Sequence, residues 1–103
     1  MKKVLRPGLT GASVDQTVRD YITEKGYGQY FGHGLGHGVG LDIHEKPVLN
    51  KSNLEPLPVN AIVTDEPGIY LPDKGGVRIE DTVLVTENGC EPLTSVRKDL
   101  LEL

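Results

Sequence analysis

Val77-Arg78-Ile79-Glu80-Asp81-Thr82-Val83-Leu84-Val85-Thr86 alternates with the period of a β-strand. Ile79, Asp81, Val83 and Val85 fall on one face, and Arg78, Glu80, Thr82 and Leu84 on the other. Turn chemistry brackets the stretch. Pro72-Asp73-Lys74-Gly75-Gly76 precedes it and Glu87-Asn88-Gly89 follows it, so its neighbours are antiparallel. Ile69-Tyr70-Leu71 reads as a short strand leading into the first turn. Asn60 to Glu66 reads as another, closed by Pro67-Gly68, with Ile62, Thr64 and Glu66 on one face and Ala61, Val63 and Asp65 on the other.

Further out, the spacing predicts a helix beginning after Thr10, whose hydroxyl can cap the first free N–H groups. Val14, Val18, Tyr21 and Ile22 form its apolar face, Asp15, Arg19, Glu24 and Lys25 lie mostly off it, and Gly26 stops it. Met1 to Leu9 is basic and reads as a frayed helix end, with Lys2-Lys3 solvated. Leu41 to Glu45 is a short extended or turn segment closed by Pro47, and Val48 to Pro58 is a loop. Pro92 onward is irregular, with a short terminal helix over Val96 to Leu103. The expectation is an α+β unit spanning 1–103, an N-terminal helix followed by a curved antiparallel sheet.

The chain has 103 residues, 37% hydrophobic and 25% charged, with one Phe and no Trp, so its core is thin. A net charge of -4 argues against nucleic acid or an anionic membrane as partner. The single cysteine, Cys90, excludes a disulfide framework and a Cys-rich zinc module, and points to a reducing, cytoplasmic setting. No apolar run approaches the roughly 18 residues of a membrane span.

Chemistry concentrates in one place. Gly32, Gly34, Gly36, Gly38 and Gly40 recur at every second residue around His33 and His37, and His44 follows. So many glycines imply backbone in close contact with something. A lone histidine is most often structural; three in one glycine-rich stretch favour metal ligation or proton transfer. Glu66 at a strand end and Glu80 between Ile79 and Asp81 read singly as solvated carboxylates. Among β-branched neighbours, pairing or metal binding would offset their burial. Arg78 shares the strand face of Glu80, either as its ion-pair partner or as the group orienting a metal-bound carboxylate. Nitrogen and oxygen donors suit Mn, Co, Fe or Zn. His44-Glu45-Lys46-Pro47-Val48 is not the HExxH of a single-zinc protease, and the glycine run matches neither a phosphate loop nor a dinucleotide fingerprint. Ser13, Ser52 and Ser95 lack a nucleophile-elbow context.

Three blocks, His33-Gly34-Leu35-Gly36-His37-Gly38-Val39-Gly40-Leu41-Asp42-Ile43-His44-Glu45, then Glu66-Pro67-Gly68-Ile69-Tyr70, then Gly76-Val77-Arg78-Ile79-Glu80-Asp81-Thr82-Val83-Leu84-Val85-Thr86, resemble the Xaa-Pro peptidases. These form the prolidase and aminopeptidase P branch of the dinuclear "pita-bread" metallopeptidases. The resemblance covers nearly the whole chain and implies the C-terminal half of a pita-bread catalytic domain. Methionine aminopeptidases share the spacing of His37 and His44 and both glutamates. They usually lack the histidine four residues earlier, the Gly-Ile-Tyr and the Arg-Ile-Glu-Asp, so they are the second alternative. The first is a non-catalytic pita-bread module that binds peptides or proteins.

The resemblance implies that His37, Glu66 and Glu80 are metal ligands that converge on one point, with Glu80 bridging two divalent ions (Mn, Co or Zn). His33 and His44 would contact substrate and steady the charged intermediate, and Arg78 would support Glu80. The implied reaction is hydrolysis of the bond before proline by a metal-activated water. The two strand aspartates that complete the family's ligand set are not in this chain. Asp15 and Asp20 sit on the helix, and Asp42, Asp65 and Asp81 lie where the family does not use them as ligands. Two carboxylates balance only half the charge of two divalent ions. The expectation is therefore at most one weakly held metal, no peptidase activity from the chain alone, and self-association into a homo-oligomer through the uncovered sheet.

Overall fold

The computed structural model of the chain describes residues 5–102. The sequence expectations for Met1 to Val4 lie outside them, as does Leu103 of the expected terminal helix. One α-helix, α1 (Gly11–Glu24), and a 3-10 turn (Gly28–Tyr30) precede seven strands: β1 (Gly36–Gly38), β2 (Glu45–Leu49), β3 (Ile62–Asp65), β4 (Gly68–Leu71), β5 (Gly75–Arg78), β6 (Asp81–Thr86) and β7 (Gly89–Pro92).

The start and stop of α1 follow local chemistry. Thr10 Oγ1 accepts the Ser13 N–H at 3.0 Å, filling one of the helix's open donors. Gly26, with φ of 92°, takes the left-handed turn that ends it. Val14, Val18 and Ile22 are buried against the sheet. Two positions differ from the amphipathic reading. Tyr21 is 62% exposed and Asp15 is fully buried. Helical periodicity places a residue on a face, but the loop folded against α1 decides which polar groups that face accommodates. Here that loop brings Asp15 a backbone donor, the Leu35 N–H at 2.9 Å.

A five-stranded sheet runs β2-β1-β3-β6-β7, and β4-β5 form a separate pair. Every pairing is antiparallel. Leu5, α1, Phe31, Leu35, Leu49 and Leu57 close over Val63, Val83 and Val85 to make the core. Among the described residues no helix is long and apolar enough to cross a membrane.

The long strand expected over Val77 to Thr86 is two strands, β5 and β6, interrupted at Ile79-Glu80. The reason is partnership. β5 pairs with β4, whereas β6 lies between β3 and β7, so the chain must break the ladder where it changes sheets. Glu66-Pro67 makes the matching break between β3 and β4. The register is continuous across both gaps. Asp65 faces Asp81 on one side and Gly68 faces Arg78 on the other, which sets Glu66 opposite Glu80. The Ile79 N–H still donates to Pro67 O at 3.3 Å.

Three other expectations are corrected. Val48 and Leu49 belong to β2 rather than a loop, and Pro47 lies within that strand after a cis peptide bond instead of closing the segment. β2 is a sheet edge, where a residue without an N–H is tolerated. Gly89 to Pro92 forms β7, which extends the edge at β6. No helix forms over the described part of Val96 to Leu103. Val96, Leu100 and Leu101 are exposed, and so short an amphipathic segment needs a packed face to persist.

Candidate metal centre

The glycine run is where the chain meets its own backbone. A Cβ on Gly36 would lie 1.8 Å from Thr64 O, and one on Gly38 would lie 2.3 Å from Lys46 O. Only glycine allows β1 to fit this closely between β2 and β3. The His37 N–H donates to Thr64 Oγ1 at 3.0 Å, and the Glu66 N–H donates to Leu35 O at 2.8 Å. These contacts place β1 beside the end of β3, and His37 beside Glu66. β1 then turns back into β2, with Gly38 facing Glu45. That reversal explains the spacing of seven: it returns His44 to His37, their rings edge-to-face at 4.5 Å between centroids.

His37 Nε2 lies 3.3 Å from Glu66 Oε2. His37 Nδ1 lies 2.8 Å from Gly38 O. A carbonyl oxygen only accepts, so Nδ1 carries the hydrogen and Nε2 of the neutral ring presents a lone pair to the carboxylate. Two acceptors facing one another call for a shared proton or cation. With metal–ligand bonds of about 2.1 Å, a separation of 3.3 Å suits two adjacent ligands of one ion. The donor set therefore fits a divalent metal.

A cleft of about 370 Å³ opens over this pair, lined by His33, Gly34, Gly36, His37, His44, Val48, Asn50, Glu66 and Arg78. Five of the six residues singled out from the sequence thus share one cavity. Within it, His33 Nδ1 meets Gly34 O at 2.7 Å and Nε2 meets the Tyr70 hydroxyl at 2.7 Å. The same reasoning puts a hydrogen on Nδ1, so the Tyr70 hydroxyl donates to His33 Nε2. The pKa of Arg78 is raised further, chiefly by neighbouring Tyr70 and also by the charge of Glu66. No spacing rule in the sequence links Tyr70 to His33, 37 residues away.

Glu80 is the sixth. Its half-exposed carboxylate lies 3.7 Å from Arg78 Nε. Among the described residues no group of three His, Cys, Asp or Glu side chains is arranged to hold a metal ion. Of the three expected ligands, His37 and Glu66 are in direct contact. Glu80 stands opposite Glu66 in register, and the nearby charge of Arg78 balances its carboxylate. Next to Glu66, Asp65 is buried, and among the described residues its Oδ1 has no hydrogen-bond partner. Burial pushes its carboxyl up to about 6.

Metallopeptidase family M24 matches residues 1–87, and the chain belongs to that family. Membership implies divalent metal ions. The chain is 52% identical over 96 residues to the Xaa-Pro dipeptidase of Pyrococcus furiosus, covering 93% of this chain and 28% of that protein. It superposes on the structure of an Xaa-Pro dipeptidase from Bacillus anthracis with a TM-score of 0.94 at 52% identity, covering 99% of this chain and 29% of that one. An X-Pro aminopeptidase structure from Thermotoga maritima matches at 49% identity and a TM-score of 0.91, with 95% and 28% covered. The α+β architecture is that of the C-terminal half of a pita-bread domain, as the sequence resemblance implied. The chain spans a little over a quarter of the length of these relatives.

Proposed function

We propose that residues 1–103 act as one unit, the C-terminal half of the catalytic domain of an enzyme that hydrolyses the peptide bond before proline in Xaa-Pro dipeptides or longer peptides. The observation that carries this reading is the pairing of His37 with Glu66 in a cleft that also holds His33, His44 and Arg78. Its likeness to Xaa-Pro dipeptidases supports the substrate class.

In this reading His37, Glu66 and, from across the register, Glu80 hold divalent metal, with manganese, cobalt or zinc suited to the nitrogen and oxygen donors. When bound, the metal supplies Lewis acidity and an activated water. The chain's own residues do the rest. Gly38 O fixes the His37 ring so that Nε2 faces the ligand position. His33, oriented by Tyr70 and Gly34, offers a polarised ring to the substrate's developing negative charge. His44, exposed at the cleft mouth, offers a second. Arg78 balances Glu66 and Glu80.

The chain alone holds at most one metal weakly and turns over no substrate. It functions in the cytoplasm, which suits its single cysteine, and without nucleic acid or membrane partners, consistent with its net charge of -4. It self-associates as a homo-oligomer, a reading supported by the exposed edge strand β5 and by Val77 and Ile79.

The experiment is to assay the full-length polypeptide carrying this segment, loaded with manganese, cobalt or zinc, on Xaa-Pro dipeptides and on Met-initiated peptides lacking proline. Cleavage of the Xaa-Pro substrates is the expected result. Preference for the Met-initiated peptides would replace it with a methionine aminopeptidase, and metal loading without cleavage of either would favour a peptide-binding module.

A further inference from the structure

The segment from Phe31 to Leu35 carries His33 yet belongs to no helix or strand, and it contains Gly32 and Gly34. Left to itself, such backbone would hold His33 loosely. Two side chains of α1 hold it instead. The Arg19 guanidinium forks onto Asp15, with Nε at 3.0 Å from one carboxylate oxygen and Nη2 at 3.2 Å from the other. Two more of its N–H groups go to the segment: Nη1 to Phe31 O at 2.6 Å and Nη2 to His33 O at 2.9 Å. The Asp15 carboxylate accepts the Leu35 N–H at 2.9 Å. Backbone groups at 31, 33 and 35 are thus fixed by one planar ion pair. Arg19 also lies over the Phe31 ring at 4.1 Å, and the Phe31 ring stands edge-on to His33 with centroids 5.3 Å apart.

We propose that Asp15 and Arg19 are positioning residues for His33: the pair sets the path of the 31–35 backbone so that the His33 ring meets the Tyr70 hydroxyl and faces the cleft. The functional consequence rests on the reading of His33 as a substrate-contacting group; the positioning itself does not. A structural account would have the pair simply cement α1 to the sheet. Burial argues against that as the whole role. Asp15 is fully buried, and an apolar pair of similar volume would hold a helix about as well. What an apolar pair lacks is the set of directed bonds to two carbonyls and an amide. Arg19 makes them because its donors lie in one rigid plane.

The test uses Arg19→Lys, which keeps the charge and the i,i+4 pair but loses the fork, and Asp15→Asn, which keeps the shape. In the unaltered chain, nitrogen NMR of His33 should show one tautomer, with the hydrogen on Nδ1. In Arg19→Lys the tautomers should mix, and the Leu35 amide should exchange on the order of tenfold faster while core amides of β3 and β6 do not change. Asp15→Asn should do the same. In the full-length enzyme, Arg19→Lys should lower kcat on an Xaa-Pro dipeptide on the order of tenfold with KM within about twofold. An unchanged His33 tautomer and Leu35 exchange in Arg19→Lys would overturn the proposal. So would a uniform rise in exchange across all core amides in both variants, which would make the pair purely structural. Should the full-length enzyme cleave no Xaa-Pro substrate, the peptidase reading falls, and the NMR result still decides the positioning.

Discussion

His37 Nε2 and Glu66 Oε2 lie 3.3 Å apart, with the other ring nitrogen of His37 committed to Gly38 O. Because Nδ1 is the donor, the side of the ring facing Glu66 is free to give its lone pair to a cation. The sheet, not a flexible loop, sets this distance: β1 and β3 are ladder neighbours, with Gly38 opposite Val63.

Metal binding to the chain follows from that pair. Calorimetric titration of the chelator-treated chain with manganese or cobalt should give no more than one ion per chain. His37→Ala and Glu66→Gln should each weaken binding at least about tenfold. Glu80→Gln should weaken it less, since Glu80 pairs with Arg78 outside the His37–Glu66 contact. Affinity should fall as pH is lowered, because protons compete for the same nitrogen and oxygen. Two tightly held ions would contradict this account.

Glycine at position 36 is a packing requirement. Gly36→Ala would set a methyl 1.8 Å from Thr64 O, forcing β1 from β3. A loss of about 3 kcal/mol or more is expected in urea unfolding. Gly32→Ala, whose added carbon meets nothing within 4 Å, should stay within about 0.5 kcal/mol of the parent chain. Equal losses at the two sites would show that backbone flexibility, not contact, is what matters.

Tyr70→Phe removes the hydroxyl that donates to His33 Nε2 while keeping the ring. Tyr70 is 39% exposed, so stability should change by less than about 0.5 kcal/mol. In the full-length enzyme kcat/KM on an Xaa-Pro dipeptide should fall on the order of tenfold, because His33 loses the donor that orients it. Unchanged kinetics would remove Tyr70 from the site.

Thr10 caps α1 through its hydroxyl. Thr10→Ala should cost about 1 kcal/mol and Thr10→Ser should restore most of it. Thermal unfolding of the three chains checks both.

Local chemistry in the sequence determined the helix, its Thr10 cap and Gly26 stop, the strand character of Ile62–Asp65 and Asp81–Thr86, and the glycine run as a place of close approach. Those features depend on residues a few positions apart, which is the range over which periodicity and capping operate. The motif blocks carried the family as well. The tertiary structure decided what depends on distant partners. Alternation over Val77–Thr86 is the same whether a strand keeps one partner or changes sheets midway, so the break at Ile79-Glu80 was not legible. The same holds for Asp15, whose burial depends on an amide 20 residues away, and for Tyr70 on His33. Which of six plausible site residues actually touch was settled by ladder register. A one-dimensional pattern does not contain it.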